Sequence, residues 1–365
     1  MKFVVFGLTI SSSWGNGHAT LWRGLCRALH RKHHKVIFYE RDVPYYAGAR
    51  DYYEIPGGTL VLYNDWEEVQ SQALRDIADA DVAIVTSYCP DAIAATAVVV
   101  QGRNVLRVFY DLDTPVTLGR LRRGEWPPYI GPHGLSEFDL VLSYTGGHVL
   151  DELRDRLGAR LTLPLYGHVD PQVHRPADPV DQYRADLSYL GTFAADRQQA
   201  LLALFVEPAG LRPEQRFLLG GAQYPDDFPW CSNMFFVRHL PPSEHPAFFS
   251  SSRLTLNVTR RDMAEMGWCP SGRLFEATAC GTPVLSDSWA GLDTFFTPGD
   301  EILVARNTDE AVSALDLGQG ELRRVAAAAR ERTLAEHTSE RRADDLLSAV
   351  ERAHARPPEL EPVGA

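Results

Sequence analysis

Five cysteines are all the chain has in 365 residues: Cys26, Cys89, Cys231, Cys269 and Cys280. Their number is odd and no two form a C-x-x-C pair, which argues against a disulfide framework or a zinc site and for a reducing cytosol. Positive charge is also in deficit. Lys and Arg number 36 against 48 Asp and Glu, a formal net charge of −12. A protein that grips the phosphate backbone is usually basic, so neither nucleic acid nor an anionic membrane surface is expected as a partner. Long apolar runs are missing as well. The opening MKFVVFGLTI carries one Lys and an apolar stretch too short to span a bilayer, without the cleavage pattern of a signal peptide. It reads as a buried first strand. There is no short internal repeat and no long low-complexity run.

What remains is ordinary globular composition, 45% hydrophobic and 23% charged. The length suits two domains. KFVVFGL is followed by the Gly/Ser loop TISSSWGNGH, then by ATLWRGLCRALHRKHH, in which Leu21, Leu25 and Leu29 recur on one helical face. KVIFYE, DVAIVTSY, VLRVFYDLD and DLVLSYTGG are further strands, apolar almost throughout. Such strands belong to a parallel sheet covered by helices on both faces. LPLYGHVDPQVHRPADPVDQY breaks the pattern with four prolines. After it the pattern restarts with DLSYLGTF, RFLLGGAQY, MFFVRHL, LTLNVTR, TPVLSDS and EILVAR. The expected fold is therefore α/β, two Rossmann-like doubly wound domains facing a cleft. Residues 1–165 form the first domain, 166–183 a linker and 184–337 the second. A terminal helix, 338–355, packs back on the first domain, and 356–365 form a disordered tail. Open parallel sheets bind ligands beyond the carboxyl ends of their strands, so two facing edges suit transfer between a nucleotide-activated donor and an acceptor.

The stretch PSGRLFEATACGTPVLSDS, residues 270–288, carries the most chemistry. Pro270 and Ser271 start a short helix, and Gly281 ends it as a left-handed cap with Pro283 beyond. The unpartnered N–H groups of the helix start make an anion site. Gly272 permits close approach there, and Arg273 adds a charge suited to phosphate. Glu276 follows about one turn, roughly 5 Å, further on. With a diphosphate at the helix start, the ribose falls near that carboxylate, which accepts two hydroxyl hydrogen bonds. The plain alternative is an i, i+3 surface pair between Arg273 and Glu276.

This stretch resembles the donor site of GT-B glycosyltransferases, in which an E-x-x-x-C-G-x-P segment carries a ribose-binding Glu. RLFEATACGTPVLSDSWAGLDTFFTPGDEILVARNTDEAV is similar to the C-terminal region of the CgeB-like (spore maturation protein type) group. FYERDVPYYAGARD, YDLDTPVTL, PLYGHVDPQVHRP and LSYLGTFAADRQ resemble further segments of it, and the likeness runs to about residue 350. The resemblance implies a metal-independent glycosyltransferase in which the helix end and basic residues stabilise the leaving diphosphate. One departure stands out. Many retaining members carry a second Glu eight residues before the ribose Glu, where this chain has Trp268, so retaining stereochemistry does not carry over.

The loop after the first strand offers Gly15 and Gly17, both read as able to take positive φ, and then His18 at the start of a helix. The resemblance makes His18 a candidate base toward an acceptor hydroxyl; the alternative is a His that caps its helix. Gly15-Asn16-Gly17 with Glu40 also matches part of a dinucleotide fingerprint, but the third glycine position is Thr20. Glu40 and Asp42 are secondary candidates on the acceptor side. Asp111 and Asp113 form a D-x-D past a strand, whose metal reading ranks below an acceptor-binding or base role for Asp113. Asp113 alternatively caps a turn. Arg197, Arg260, Arg261 and Arg273 are candidates to neutralise the diphosphate. His148 reads as cleft-lining or capping, and Trp126, Tyr129, Tyr45 and Tyr46 as packing or sugar-stacking aromatics. The expected activity is sugar transfer from a nucleotide-sugar to an unidentified acceptor, with no cofactor and no metal. A nucleotide-sugar epimerase and a catalytically silent nucleotide-sugar-binding protein are the alternatives.

Overall fold

The structure, a computed structural model, describes residues 1–355; the expected tail lies outside them. Seven strands make the first sheet: β1 (Lys2–Phe6), β2 (Lys35–Arg41), β3 (Thr59–Tyr63), β4 (Val82–Thr86), β5 (Leu106–Asp111), β6 (Leu140–Ser143) and β7 (Thr162–Pro164). Their order is β3-β2-β1-β4-β5-β6-β7, and every pairing is parallel. The second sheet holds β8 (Leu187–Leu190), β9 (Phe217–Gly221), β10 (Met234–Arg238), β11 (Thr255–Asn257), β12 (Val284–Ser286) and β13 (Leu303–Val304). Its order is β10-β9-β8-β11-β12-β13, again all parallel. This is the expected doubly wound α/β architecture, twice over. The two edge strands of the first sheet, β3 and β7, were not among the expected strands. β7 spans only three residues and ends at a proline, too short for periodicity to register.

Burial explains why the strands lack alternation. All five residues of β4 and all four of β6 are buried, because helices cover both faces of the sheet. Phe3, Val5 and Phe38 pack toward the His18–Arg31 helix on one face, and Val4, Phe6 and Tyr39 pack on the other. In that helix Leu21, Leu25 and Leu29 are all buried, as their spacing requires. The Ser339–His354 helix lies against it. Leu346, Ala349 and Val350 join the same core, and Lys32 pairs with Asp344 at 2.7 Å. Residues 312 apart in the chain are thereby joined.

In each sheet the winding direction reverses beside the first strand, between β1 and β4 and between β8 and β11. Loops leaving those strands splay apart and leave a crevice. The loops after β1, β4 and β5 carry His18, Tyr88 and Asp113, whereas the loops after β8 and β11 carry Arg197 and Arg260. Leu346 is 1% exposed in the seam between the two helices. Leu346→Ala should cost about 2–5 kcal/mol, the range for buried Leu truncations. Urea unfolding followed by circular dichroism checks this, and a loss below about 1 kcal/mol would mean that the terminal helix contributes little to the core.

Candidate functional site

Loops from both sheets line one cleft of about 350 Å³, within the size range of small-molecule sites. One wall is the Gly-rich loop, with Gly15, Gly17, His18 and Thr20. The other carries Gly191, Arg197, Arg260, Ser271, Gly272, Arg273 and Glu276. The Gly272–Ala279 helix is the centre of that wall. Ser271 takes the N-cap position without a side-chain capping bond, so the N–H groups of the first turn face the cleft unclaimed by a side chain. A Cβ at Gly272 would meet nothing within 4 Å, and Gly281 closes the helix at φ +78°, as expected.

Arg273 is held from three sides. Its Nε donates to the carbonyl of Leu190, its Nη1 donates to Asn257 Oδ1 at 3.0 Å, and the guanidinium lies 5.1 Å from the centre of the Tyr189 ring. No carboxylate stands within ion-pair distance of it among the described residues. Burial lowers its pKa, but a guanidinium does not deprotonate in a protein. A fixed cation with neutral oxygen partners therefore stands beside a helix start, an arrangement that attracts an anion. Gly191 leaves room at this junction, since a Cβ there would lie 2.7 Å from Tyr189 Oη and 3.0 Å from Arg273 Nη2.

Glu276, 13% exposed, turns one oxygen toward Thr20 Oγ1 at 3.4 Å, a contact between the two sheets' domains. It does not form the surface pair with Arg273. Burial pushes its carboxyl up, but nearby His174, His245, Arg273 and the Thr20 hydroxyl outweigh that and hold the pKa below the usual value. His174 Nε2 and His245 Nδ1 each lie 3.8 Å from a Glu276 oxygen. Among the described residues these three form the one group of three or more His, Cys, Asp or Glu side chains close enough to share a metal ion. Asp111 and Asp113 join no such group.

The other predicted residues divide. Arg197 lines the cleft and donates to Tyr189 Oη and the Thr192 carbonyl. Arg260 lines it too, pairing with Asp196 at 2.9 Å while Nη1 reaches 4.0 Å from Asp113 Oδ2. His18 opens its helix inside the cleft, its ring 5.0 Å from that of Tyr88, and burial lowers its pKa to about 4, so it is neutral at pH 7. Asp113 stands on an adjoining cavity of about 310 Å³ walled by Tyr88, Pro90, Val116, Arg120, Pro128 and Tyr129. Tyr88 Oη donates to its Oδ2 at 2.8 Å, its Oδ1 is buried without a partner, and its side chain does not cap the following helix. Burial raises its pKa.

Several expectations are corrected. Gly15 takes φ +59°, but Gly17 sits at φ −69° in the right-handed region as the cap residue of the helix. Glu40 does not face the cleft: it is 1% exposed and accepts from Thr9, from Ser11 and from the backbone N–H groups of Ile10 and Ser11, stapling the loop. It is thus taken up internally and is not free for a dinucleotide ribose. Asp42 is spent on Arg50 at 2.6 Å, away from the cleft. Asp111 is fully buried at the end of β5, where burial raises its pKa to about 6. His148 is half exposed and faces Glu152 rather than the cleft. Trp268, at φ +44°, is a joint between the domains. Its carbonyl accepts from Gly146 N–H, its own N–H donates to the Ala290 carbonyl, and a Cβ on Gly147 or Gly291 would come within 2.5 Å of its ring. His174, His245, Asn257 and Tyr189 escaped the sequence reading, because the partners that make them part of the site lie 16 to 102 residues away and no local spacing marks them.

Residues 197–348 match the glycosyl transferase-like family. No curated protein matches the chain. Among solved structures, a sucrose-phosphate synthase from Thermosynechococcus elongatus superposes with a TM-score of 0.68 at 15% identity, over 97% of this chain and 99% of that one. HepE from Anabaena, solved with UDP and glucose, gives 0.64 at 12% identity over 96% and 100%. An alpha-glucosyltransferase solved with UDP-glucose and DNA containing an abasic site gives 0.64 at 13% over 96% and 98%. At these identities the likeness is one of fold, and the fold is GT-B-like. No helix among the described residues is long and apolar enough to cross a membrane.

Burial sets a pH dependence. It depresses His18, His245 and His337 to about 4 and His168 to about 3. Below about 6.5 the unfolded chain takes up protons that these rings refuse, so their contribution is complete above that pH and is lost toward pH 4. Asp111, raised to about 6, acts with the opposite sign, since the fold keeps its proton first. Asp113 and Asp287, also raised by burial, act with Asp111, and His174, lowered by burial, acts with the other histidines, which outweigh the carboxyls. The unfolding free energy should fall by at least about 1–2 kcal/mol between pH 7 and pH 5; a flat or rising profile in urea titrations at the two pH values would contradict these burial assignments.

Proposed function

We propose that the chain transfers a sugar from a nucleotide-sugar donor to the hydroxyl of an acceptor, and that it is a CgeB-like member of the GT-B glycosyltransferases acting in a reducing cytosol. The observation that carries this is the joint placement of Arg273, the open helix start at Ser271 and Gly272, and Glu276 on one wall of an interdomain cleft. In this reading residues 184–337 form the donor domain and residues 1–165 the acceptor domain, joined by 166–183, with 338–355 returning to the first. The donor diphosphate sits at the helix start against Arg273, with Arg197 and Arg260 nearby, and the ribose hydroxyls donate to Glu276. UDP, the nucleotide bound by HepE, is the first donor nucleotide to test. The acceptor enters from the Asp113 side and is not nucleic acid, given the net charge of −12.

Glu276→Ala should weaken nucleoside diphosphate binding by about 1.5–3 kcal/mol, the range for hydrogen bonds to a charged group. Calorimetry with UDP, GDP and ADP measures it, and an unaltered affinity removes Glu276 from the ribose site.

An attacking hydroxyl must lose its proton as the glycosyl bond breaks. Asp113 has a buried oxygen without a partner, and His18 is a neutral imidazole on the cleft wall. Asp113→Asn or His18→Ala should lower kcat by roughly 10²–10⁴-fold while nucleotide affinity stays nearly constant. If both variants keep near-wild-type kcat with a true acceptor, neither residue is the base.

Diphosphate stabilisation by Arg273 and the helix start needs no divalent cation for turnover. Dialysis against EDTA should leave the rate largely intact, and a complete loss restored by Mn²⁺ or Mg²⁺ would refute this point.

A further inference from the structure

The group around Glu276 holds more than a ribose acceptor needs. His245 Nε2 lies 3.3 Å from the carbonyl of Leu240. A carbonyl only accepts, so Nε2 carries the proton and Nδ1 of the neutral ring carries a lone pair. That lone pair faces Glu276 Oε2 at 3.8 Å, and Nδ1 is buried without a hydrogen-bond partner. Across the carboxylate, His174 Nε2 faces Oε1 at the same distance, likewise buried and without a partner. Two acceptors aimed at each other repel unless something positive stands between them.

We propose that His174, His245 and Glu276 form a transition-metal site, best suited to Zn²⁺, and that the metal competes with nucleotide for Glu276. The competition rests on the donor reading above; the metal site does not.

Three observations converge on it. The donor set is two imidazole nitrogens and one carboxylate, a three-ligand zinc set that leaves a fourth position open. The three ligand atoms lie within 4.8 Å of one another. Bringing each to roughly 2.0–2.2 Å from a common centre moves it by less than about 1 Å. Finally, a metal-bound histidine characteristically donates its other ring N–H to a carbonyl or carboxylate, which fixes the tautomer, and His245 already does so toward Leu240.

The electrostatics suit the purpose. Both imidazoles present a buried nitrogen without a hydrogen-bond partner to the Glu276 carboxylate. Arg273, near Glu276, and Arg27, near His174, oppose a further cation. The affinity is therefore expected in the micromolar range rather than that of a structural zinc finger. The ligands come from the linker segment, the start of the His245–Ser250 helix and the Gly272–Ala279 helix. Occupation thus ties the segment between the two sheets to the donor wall. It also claims the carboxylate that the ribose requires, so the metal acts as an inhibitor and its removal leaves turnover intact.

The test is calorimetry with ZnCl₂ on the EDTA-stripped full chain, supported by the visible spectrum of the Co²⁺ form. One Zn²⁺ per chain is expected. His174→Ala should weaken zinc binding about 100-fold or more, on the scale at which even outer-shell losses weaken zinc sites by 10- to 100-fold. Because His174 does not line the main cleft, this variant should still bind UDP, which also shows that it is folded. Saturating UDP should weaken zinc binding at least about tenfold, and zinc should weaken UDP by the same factor. An intense Co²⁺ band typical of tetrahedral coordination in the wild type supports the site without any variant. No zinc binding up to about 100 μM, or binding indifferent to His174→Ala, overturns the site. Zinc and UDP binding independently overturns the competition. A chain that binds zinc but no UDP, GDP or ADP sinks the donor reading and the competition with it, while the metal site stands.

Discussion

A guanidinium fixed between neutral oxygens is the constraint on which the cleft depends. Arg273 cannot relax its charge onto a carboxylate, since its bonds go to the Leu190 carbonyl and to Asn257 Oδ1. Those two partners are the ends of β8 and β11, the strands that flank the reversal point of the second sheet. Gly191, without a side chain, leaves room there for the Tyr189 ring and the guanidinium. A positive charge held this way is costly until an anion arrives, and the free N–H groups of the Gly272–Ala279 helix point the same way. The second sheet thus presents a fixed positive charge and a helix start suited to an anion from backbone position rather than from a mobile side chain.

The first sheet contributes from its own reversal point. His18 and Tyr88 follow β1 and β4, and Asp113 follows β5 one strand further out. The two halves meet through a few definite contacts: Thr20 with Glu276, Arg260 with Asp113, Tyr144 Oη with the Pro270 carbonyl at 2.8 Å, and Trp268 between glycines of both sides. Arg260 lies 4.0 Å from Asp113 while lining the cleft, so one side chain links the two walls.

The sheet architecture was legible in the sequence because fully covered strands announce themselves as short apolar runs, and the Gly272–Ala279 helix because Ser271, Gly281 and Pro283 punctuate it. The site was legible only in part. Glu276 and Arg273 could be placed because they share one helix with its start signal. Glu40 matched part of a dinucleotide fingerprint because it lies near the end of β2 after a Gly-rich loop. Nothing local reveals that Thr9 and Ser11 turn it inward. His174 and His245 were invisible for the same reason: their meeting at Glu276 is a product of chain packing over 102 and 31 residues. Trp268 was noticed only as a missing acid, whereas its work is steric.

The most direct measurement compares the affinity of a nucleoside with that of its diphosphate, uridine against UDP, for the wild-type chain and for Arg273→Gln. If a fixed cation and a helix start form the diphosphate site, UDP binds the wild type about 100-fold tighter than uridine, and Arg273→Gln removes most of that difference while leaving uridine unchanged. Equal affinities for uridine and UDP in the wild type, or an undiminished preference in the variant, would contradict the account.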